Sequence, residues 1–291
     1  MKNSPNQKQT RSDKSSSFRR GFLLIGTLTL LALVLRTFFK PFSLLAIVIW
    51  ILWVVVIVAC LAPVIALAVW RGKPDGWHEI GLALGFWSMN FSCLILMGRL
   101  PIFSSLEWNW TGKIFAILAS LAFIGLWRGT TWREIGFTGL RKGSWLPFIV
   151  LVLLSFVAFL ALYTKDVPTK VETLLFQLTM PGVDEEIVFR GILLLLLNRA
   201  FSTSWKLLGA NVGWGWIISS VLFGLIHGIG FTGSQFQFQF SLAPIIIASI
   251  TGLIIGWLRE RTGSLYPAIF LHATVDATGF VINALVNGLA Y

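Results

Sequence analysis

PGVDEEIVFRGILLLLLN, residues 181–198, places three acidic residues and an arginine at the start of a leucine-rich run. The acids are Asp184, Glu185 and Glu186, and the arginine is Arg190. An ionised side chain at the centre of a bilayer costs roughly 2.5–3.5 kcal/mol on insertion scales, so charges kept in such a run indicate function. The stretch therefore predicts a polar pocket enclosed between membrane helices.

The composition of the whole chain supports this interpretation. The 291 residues are 56% hydrophobic and only 12% charged, and the mean hydropathy is +0.81. A spanning helix needs about 20 predominantly apolar residues, and a buried soluble domain would not need so many apolar runs separated by short charged loops. We predict an all-α fold, a polytopic transmembrane helix bundle of about eight or nine spans. The candidate runs cover residues 21–39, 42–70, 79–98, 112–127, 145–163, 183–200, 213–229, 242–258 and 264–288.

The distribution of basic residues predicts the topology. Residues 1–20 hold six Lys or Arg and one Asp, are rich in Ser and lack apolar periodicity, which is typical of a disordered tail. Basic residues beside the first span keep that end of the chain in the cytoplasm. We therefore expect a multi-pass protein of the cell membrane with a cytoplasmic N-terminus. The net charge of +11 is accounted for by this topology, so no nucleic-acid partner is expected.

Helical spacing sorts the charges at the start of the sixth run. Glu186 and Arg190 are four residues apart, so they share a helix face and can form an ion pair. Glu185 lies about 100° further round the helix and is free to face a different partner. One acid in the first turn would merely offset the helix dipole, and Pro181-Gly182 is typical of a helix start. Three acids with an arginine indicate more than that.

Two of the three histidines of the chain lie in later apolar runs. Phe223 and His227 share a face of the seventh run, and His272 and Asp276 share a face of the ninth. Either histidine alone would most often be a core residue that is satisfied by hydrogen bonds. Two of them together with a pair of glutamates favour a functional site, so we predict that Glu185, His227 and His272 converge inside the bundle.

Small residues predict which helices approach closely. They recur at four-residue spacing in the seventh and eighth runs, a pattern that lets helix backbones touch within a membrane. The residues are Ser220, Gly224 and Gly228 in one run, and Ala248, Gly252 and Gly256 in the other.

Three motifs in order carry a family resemblance: EEIVFR at 185–190, FGLIH at 223–227 and HATVD at 272–276. They resemble the EExxxR, FxxxH and HxxxN/D motifs of the CPBP intramembrane proteases. That family includes CAAX-type prenyl endopeptidases and Abi-like proteins of bacteriocin processing and self-immunity. The resemblance covers about residues 130–288. It implies three parts: the tail at 1–20, accessory transmembrane helices at 21–128, and a catalytic transmembrane core at 129–291.

The resemblance also implies roles for the matching positions. Glu185 would activate water together with His227, and His272 with Asp276 would hold the oxyanion. Glu186, Arg190 and Phe223 would order the site. Many members carry Asn where this chain has Asp276, and an ionised Asp offers no N–H donor. Asp276 would then orient His272 or act in its protonated form.

The implied chemistry is consistent with hydrolysis of a peptide bond at membrane depth, which needs a base for water and donors for the oxyanion. We favour a site without an obligate cofactor or metal. The alternative is Zn²⁺ bound by Glu185, His227 and His272. The expected partners are membrane lipids and a membrane-embedded or lipidated peptide substrate. Two other functions stay open from the sequence, an ion-coupled transporter and a non-catalytic immunity or scaffold protein.

Overall fold

The computed structural model describes residues 5–39, 44–72, 74–98, 100–103, 105–161, 169–232 and 237–290. Parts of the predicted segments lie outside these residues, namely the first four residues of the tail and the ends of the second and fifth apolar runs. Helices dominate the described residues, as predicted. The helices are α1 Pro5–Phe39, α2 Leu44–Gly72, α3 Trp77–Met97, α4 Trp110–Leu126, α5 Trp132–Ile135, α6 Trp145–Ala161, α7 Val171–Glu186, α8 Leu194–Ala200, α9 Trp214–Gly228, α10 Leu242–Thr262 and α11 Tyr266–Asn287.

The described residues contain five helices that are long and apolar enough to cross a membrane. These candidate spans are Ser16–Leu35, Ile51–Gly72, Trp77–Met97, Leu242–Thr262 and Tyr266–Asn287. Three further apolar helices are shorter, Trp110–Leu126, Trp145–Val157 and Trp214–Gly228. The protein is thus a helical membrane protein, and the predicted number of eight or nine spans is not confirmed.

Short strands accompany the helices, which the all-α prediction did not include. β2 (Ser204–Leu207) and β3 (Ala210–Gly213) form one antiparallel hairpin, and β4 (Ile229–Thr232) pairs with β5 (Gln237–Phe240) in a second. β1 (Thr169–Lys170) pairs in parallel with β6 (Leu289–Ala290). Each sheet has two strands, and Glu185, His227 and His272 all lie on helices.

Part of the predicted tail is helical in the structure, and the division of the chain into tail, accessory helices and core stays a prediction. Residues 5–20 are helical and continue without a break into the first apolar run as α1. Nucleation is the costly step in helix formation, and the apolar run has already nucleated this helix. Lys, Arg, Gln and Ser can then extend it at little cost per residue.

The helix that carries the acids begins well before the sequence predicted. α7 starts at Val171, so Pro181 and Gly182 lie inside it rather than at its N-terminus. A π-helical segment, Ile187–Leu193, follows α7 directly and leads into α8. Glu185 and Glu186 therefore lie near the middle of one helical rod, between a proline that removes a backbone donor and a π segment of the kind often found at functional sites.

Gly182 explains why the Pro-Gly pair is placed within the helix. α7 packs along α11, and a methyl group added at Gly182 would lie 2.8 Å from the carbonyl oxygen of Ile269 and 3.3 Å from the amide nitrogen of Ala273. The two backbones are thus in direct contact here. Because Ala273 is the neighbour of His272, this contact sets the distance between the acids of α7 and the histidine of α11.

The close backbone approach predicted for the seventh and eighth runs is confirmed, and the structure shows that they pack on each other. α9 and α10 pack closely along their length. A methyl group at Gly224 would lie 2.4 Å from the carbonyl oxygen of Ile245, and one at Gly252 would lie 3.2 Å from the Cα of Ser220. This close packing fixes the helix that carries His227.

Candidate active site

The predicted pair of Glu186 and Arg190 is present and fully buried. Arg190 Nη1 donates to Glu186 Oε1 over 3.0 Å, and the two side chains are 1% and 0% exposed. The same carboxylate oxygen accepts a 2.7 Å hydrogen bond from Nδ1 of His272. Glu186 therefore links the arginine on its own helix to the histidine on α11.

Glu185 points in a different direction, as its position round the helix predicted. Its Oε2 lies 3.8 Å from Nε2 of His227 and 3.8 Å from Nε2 of His272. This buried oxygen has no hydrogen-bond partner among the described residues. The predicted convergence of the three residues is confirmed, and the roles assigned to them stay predictions.

The backbone and Glu186 determine which ring nitrogens of the histidines face Glu185. Nδ1 of His227 lies 2.7 Å from the carbonyl oxygen of Phe223, and a carbonyl can only accept, so this nitrogen carries the hydrogen. In the neutral ring, Nε2 then presents a lone pair toward Glu185. Nδ1 of His272 donates in the same way to Glu186, which leaves Nε2 of His272 directed at the site.

Asp276 lies beside His272 rather than opposite it. Its Oδ2 is 3.4 Å from Nε2 of His272, one helical turn away on α11. His272 is only 4% exposed, whereas Asp276 is 27% exposed. This geometry supports the interpretation in which Asp276 orients His272.

Phe223 is the shared neighbour of the site residues. Its ring centroid lies 4.4 Å from that of His227 and 5.7 Å from that of His272. The guanidinium carbon of Arg190 lies 4.4 Å from the Phe223 centroid, within the range of a cation–π contact. The ring therefore packs against both histidines and the arginine at once.

The sequence interpretation missed Lys113 as a site residue and gave no role to Asp184. Lys113 lies on α4, and its Nζ donates to Asp184 Oδ2 over 2.9 Å and to Glu185 Oε1 over 2.7 Å. The available signal was a lysine inside the fourth apolar run, the same signal that had singled out the acids and the histidines.

The three residues of the zinc alternative lie together at the site, but they are not arranged as a metal centre. Among the residues that the structure describes, no group of three His, Cys, Asp or Glu is arranged to hold a metal ion. Oε1 of Glu185 is bound by Lys113, whose positive charge opposes that of a metal ion. The absence of an obligate metal stays a prediction.

Comparison with known families finds a match to the segment that carries this site. Residues 167–278 match the family model described as type II CAAX prenyl endopeptidase Rce1-like. Residues 167–278 form an Rce1-like domain. The matched segment contains Glu185, His227 and His272 but not Lys113.

One curated relative is similar to part of this chain. It is an Escherichia coli protein named "Uncharacterized 24.3 kDa protein", 31% identical over 120 residues. The match covers 41% of this chain and 48% of that protein, so the chain spans about half the length of the relative. No solved structure matches the chain.

Proposed function

We propose that this protein is an intramembrane endopeptidase that hydrolyses a peptide bond with water activated by Glu185 and His227. The observation that carries the proposal is the free Oε2 of Glu185, placed 3.8 Å from Nε2 of each histidine. Two acceptors at this separation can both receive hydrogen bonds of ordinary length, about 2.8 Å, from one water. The Rce1-like domain supports the same reaction class.

The first step would follow from the tautomer of His227. A water between Oε2 of Glu185 and Nε2 of His227 donates one hydrogen to each acceptor. Its lone pairs then face away from both and toward a substrate carbonyl carbon. Glu185 takes the proton as the water attacks, which is general-base catalysis by a carboxylate.

The oxyanion of the tetrahedral intermediate would be stabilised from α11. His272 in its imidazolium form donates from both nitrogens, and Nδ1 is already committed to Glu186. Nε2 is therefore the donor available for the oxyanion. Asp276 lies 3.4 Å from that same nitrogen, so it would orient the ring before the reaction and yield Nε2 to the oxyanion, while Glu186 with Arg190 would keep hold of Nδ1.

The proposed substrate is a membrane-embedded or lipidated peptide, including peptides of the CAAX type. No obligate cofactor is proposed, and membrane lipids are the other partners. We place the protein in the cell membrane with a cytoplasmic N-terminus. Labelling of a single introduced cysteine by an impermeant reagent, in intact and in broken cells, tests that orientation.

The test of function is product mapping. The full-length protein is reconstituted into vesicles with a panel of membrane-embedded and prenylated peptides, and products are identified by mass spectrometry. We expect cleavage by the native protein and none by Glu185→Gln, which keeps the shape of the side chain but removes the base. Asp75→Asn, a change of an exposed carboxylate between α2 and α3, is the matched control and should leave cleavage unchanged. Equal cleavage by native protein and Glu185→Gln would refute the proposal.

A further inference from the structure

Lys113 is a buried ammonium that the Rce1-like domain does not supply. It lies on α4, outside residues 167–278. Its side chain is 10% exposed and its Nζ is shared between Asp184 and Glu185. A buried charge is costly unless carboxylates compensate it, so this lysine needs the acids of α7 as much as they need it.

The contact with Glu185 is specific to one oxygen. Nζ lies 2.7 Å from Oε1, and Oε2 is the atom that faces both histidines. Holding one oxygen of a planar carboxylate restricts the rotation of the group and so fixes the direction of the other oxygen. Among the described residues, no group other than Lys113 is within hydrogen-bond distance of the Glu185 carboxylate, since both histidines lie 3.8 Å from it.

The start of α4 is itself firmly anchored. The side chain of Asn109 caps the helix by accepting from the Gly112 amide over 2.9 Å. Gly112 lies against α3, where an added methyl group would come within 2.2 Å of the carbonyl oxygen of Leu94. Lys113 is therefore presented from a helix turn whose position is set by its neighbours.

A second contact joins this turn to α7. Glu172, in the first turn of α7, accepts from the backbone amides of Glu107 and Trp108 and from the indole N–H of Trp110. Burial raises the pKa of Glu172, but these hydrogen bonds, those from the amides foremost, outweigh burial and hold the pKa below its usual value of 4.5. Helices α4 and α7 are thus joined both at Glu172 and at Lys113.

The charge balance explains why a cation is needed beside Glu185. Four carboxylates meet at the site, and two permanent cations face them. The carboxylates are Asp184, Glu185, Glu186 and Asp276, and the cations are Lys113 and Arg190. Arg190 is hydrogen-bonded to Glu186, so Lys113 is the cation that is left for Glu185.

We infer that Lys113 is a positioning residue of this site: its ammonium holds Oε1 of Glu185 and thereby directs Oε2 at His227 and His272. The inference rests on the proposed function, in which Glu185 is the base. The competing interpretation is that Lys113 only neutralises charge so that the helices can pack. The two interpretations differ for a variant in which the charge balance is kept but the hydrogen bond to Glu185 is lost.

The double variant Lys113→Met/Asp184→Asn provides this separation. It removes one positive and one negative charge together, so folding should be retained as judged by thermal unfolding of the full-length protein in detergent. We expect kcat to fall about 100-fold, the size of effect that misplacing a reacting group produces, with KM unchanged. Lys113→Arg, which keeps the charge, should recover part of kcat. Native kcat in the double variant would overturn the inference.

A measurement made without substrate tests the position of Glu185 independently of catalysis. The chain has only three histidines, so the ring nitrogens of His78, His227 and His272 can be followed by ¹⁵N NMR. His78 lies on α3 and stacks on Phe18, which makes it an internal control. We expect the double variant to shift the resonances of His227 and His272 and to leave those of His78 in place. Unmoved site resonances would refute the positioning role, whereas moved resonances with no cleavage by native protein would refute only the proposed function.

Discussion

Replacement of Arg190 tests whether the buried charge of Glu186 is stabilised mainly by this one arginine. Arg190→Met keeps much of the aliphatic stem but removes the guanidinium that donates to Glu186 over 3.0 Å, in a pair that is 1% and 0% exposed. Breaking such a pair by removing one partner costs about 3–5 kcal/mol, because the remaining charge loses its buried counter-charge; here Glu186 keeps only the hydrogen bond from His272. The cation–π contact with Phe223 is lost in the same step, so we expect a value within this range rather than below it.

The loss is measured as a change in the free energy of unfolding, in mixed micelles in which the native protein unfolds reversibly. The double variant Arg190→Met/Glu186→Gln is the control, since it removes both charges and keeps an amide oxygen that can accept from Nδ1 of His272. It should regain most of the lost stability, because replacing both members of a buried pair is often close to neutral. A loss of less than 1 kcal/mol in Arg190→Met, or a double variant no more stable than the single one, would refute the reasoning.

Three further predictions concern the contact between α7 and α11, stability at low pH and metal dependence. Gly182→Ala places a methyl group 2.8 Å from the carbonyl oxygen of Ile269. This overpacking should lower the free energy of unfolding by about 1–3 kcal/mol. The control is Gly139→Ala, whose added methyl group meets nothing within 4 Å and should leave the stability unchanged. The pKa of Glu172 is lowered from 4.5 in the folded protein. The ionised Glu172 therefore stabilises the fold fully above pH 4.5, and this contribution is lost as the pH falls through the folded pKa. Thermal unfolding of Glu172→Gln should depend less on pH below 4.5 than that of the native protein. Activity should survive prolonged chelation, and loss that only Zn²⁺ restores would instead make Glu185 and the two histidines metal ligands.

The site residues were predictable because each is an ionisable or aromatic group whose partner lies at helical spacing or in a recognised motif. The pair of Glu186 and Arg190, the different direction of Glu185 and the contact of Phe223 with His227 all follow from the geometry of one helix. The close approach of α9 and α10 followed from small residues in the same way. In each case the information is local to a few residues of sequence.

The features that the sequence did not predict depend on contacts between distant segments of the chain. Nothing near Lys113 in the sequence indicates that it meets residues 184 and 185, because that contact arises from the packing of α4 on α7. Pro181-Gly182 has the local signature of a helix start, yet the glycine is used for a backbone contact with α11. The helical extension of α1 back to Pro5 is likewise set by its continuity with an apolar helix rather than by its own composition.

The backbone contact at Gly182 has a consequence for how substrate could enter. Because α7 and α11 touch there and are joined again by Glu186 and His272, these two helices form one rigid wall that cannot part without breaking a buried hydrogen bond. His227 stands on the other side, 37% exposed. Its ring hydrogen-bonds to the carbonyl of Phe223, within its own helix. We therefore expect the substrate of the proposed peptidase to approach from the α9 side of the site, where the His227 side chain can turn while Glu185 and His272 stay in place.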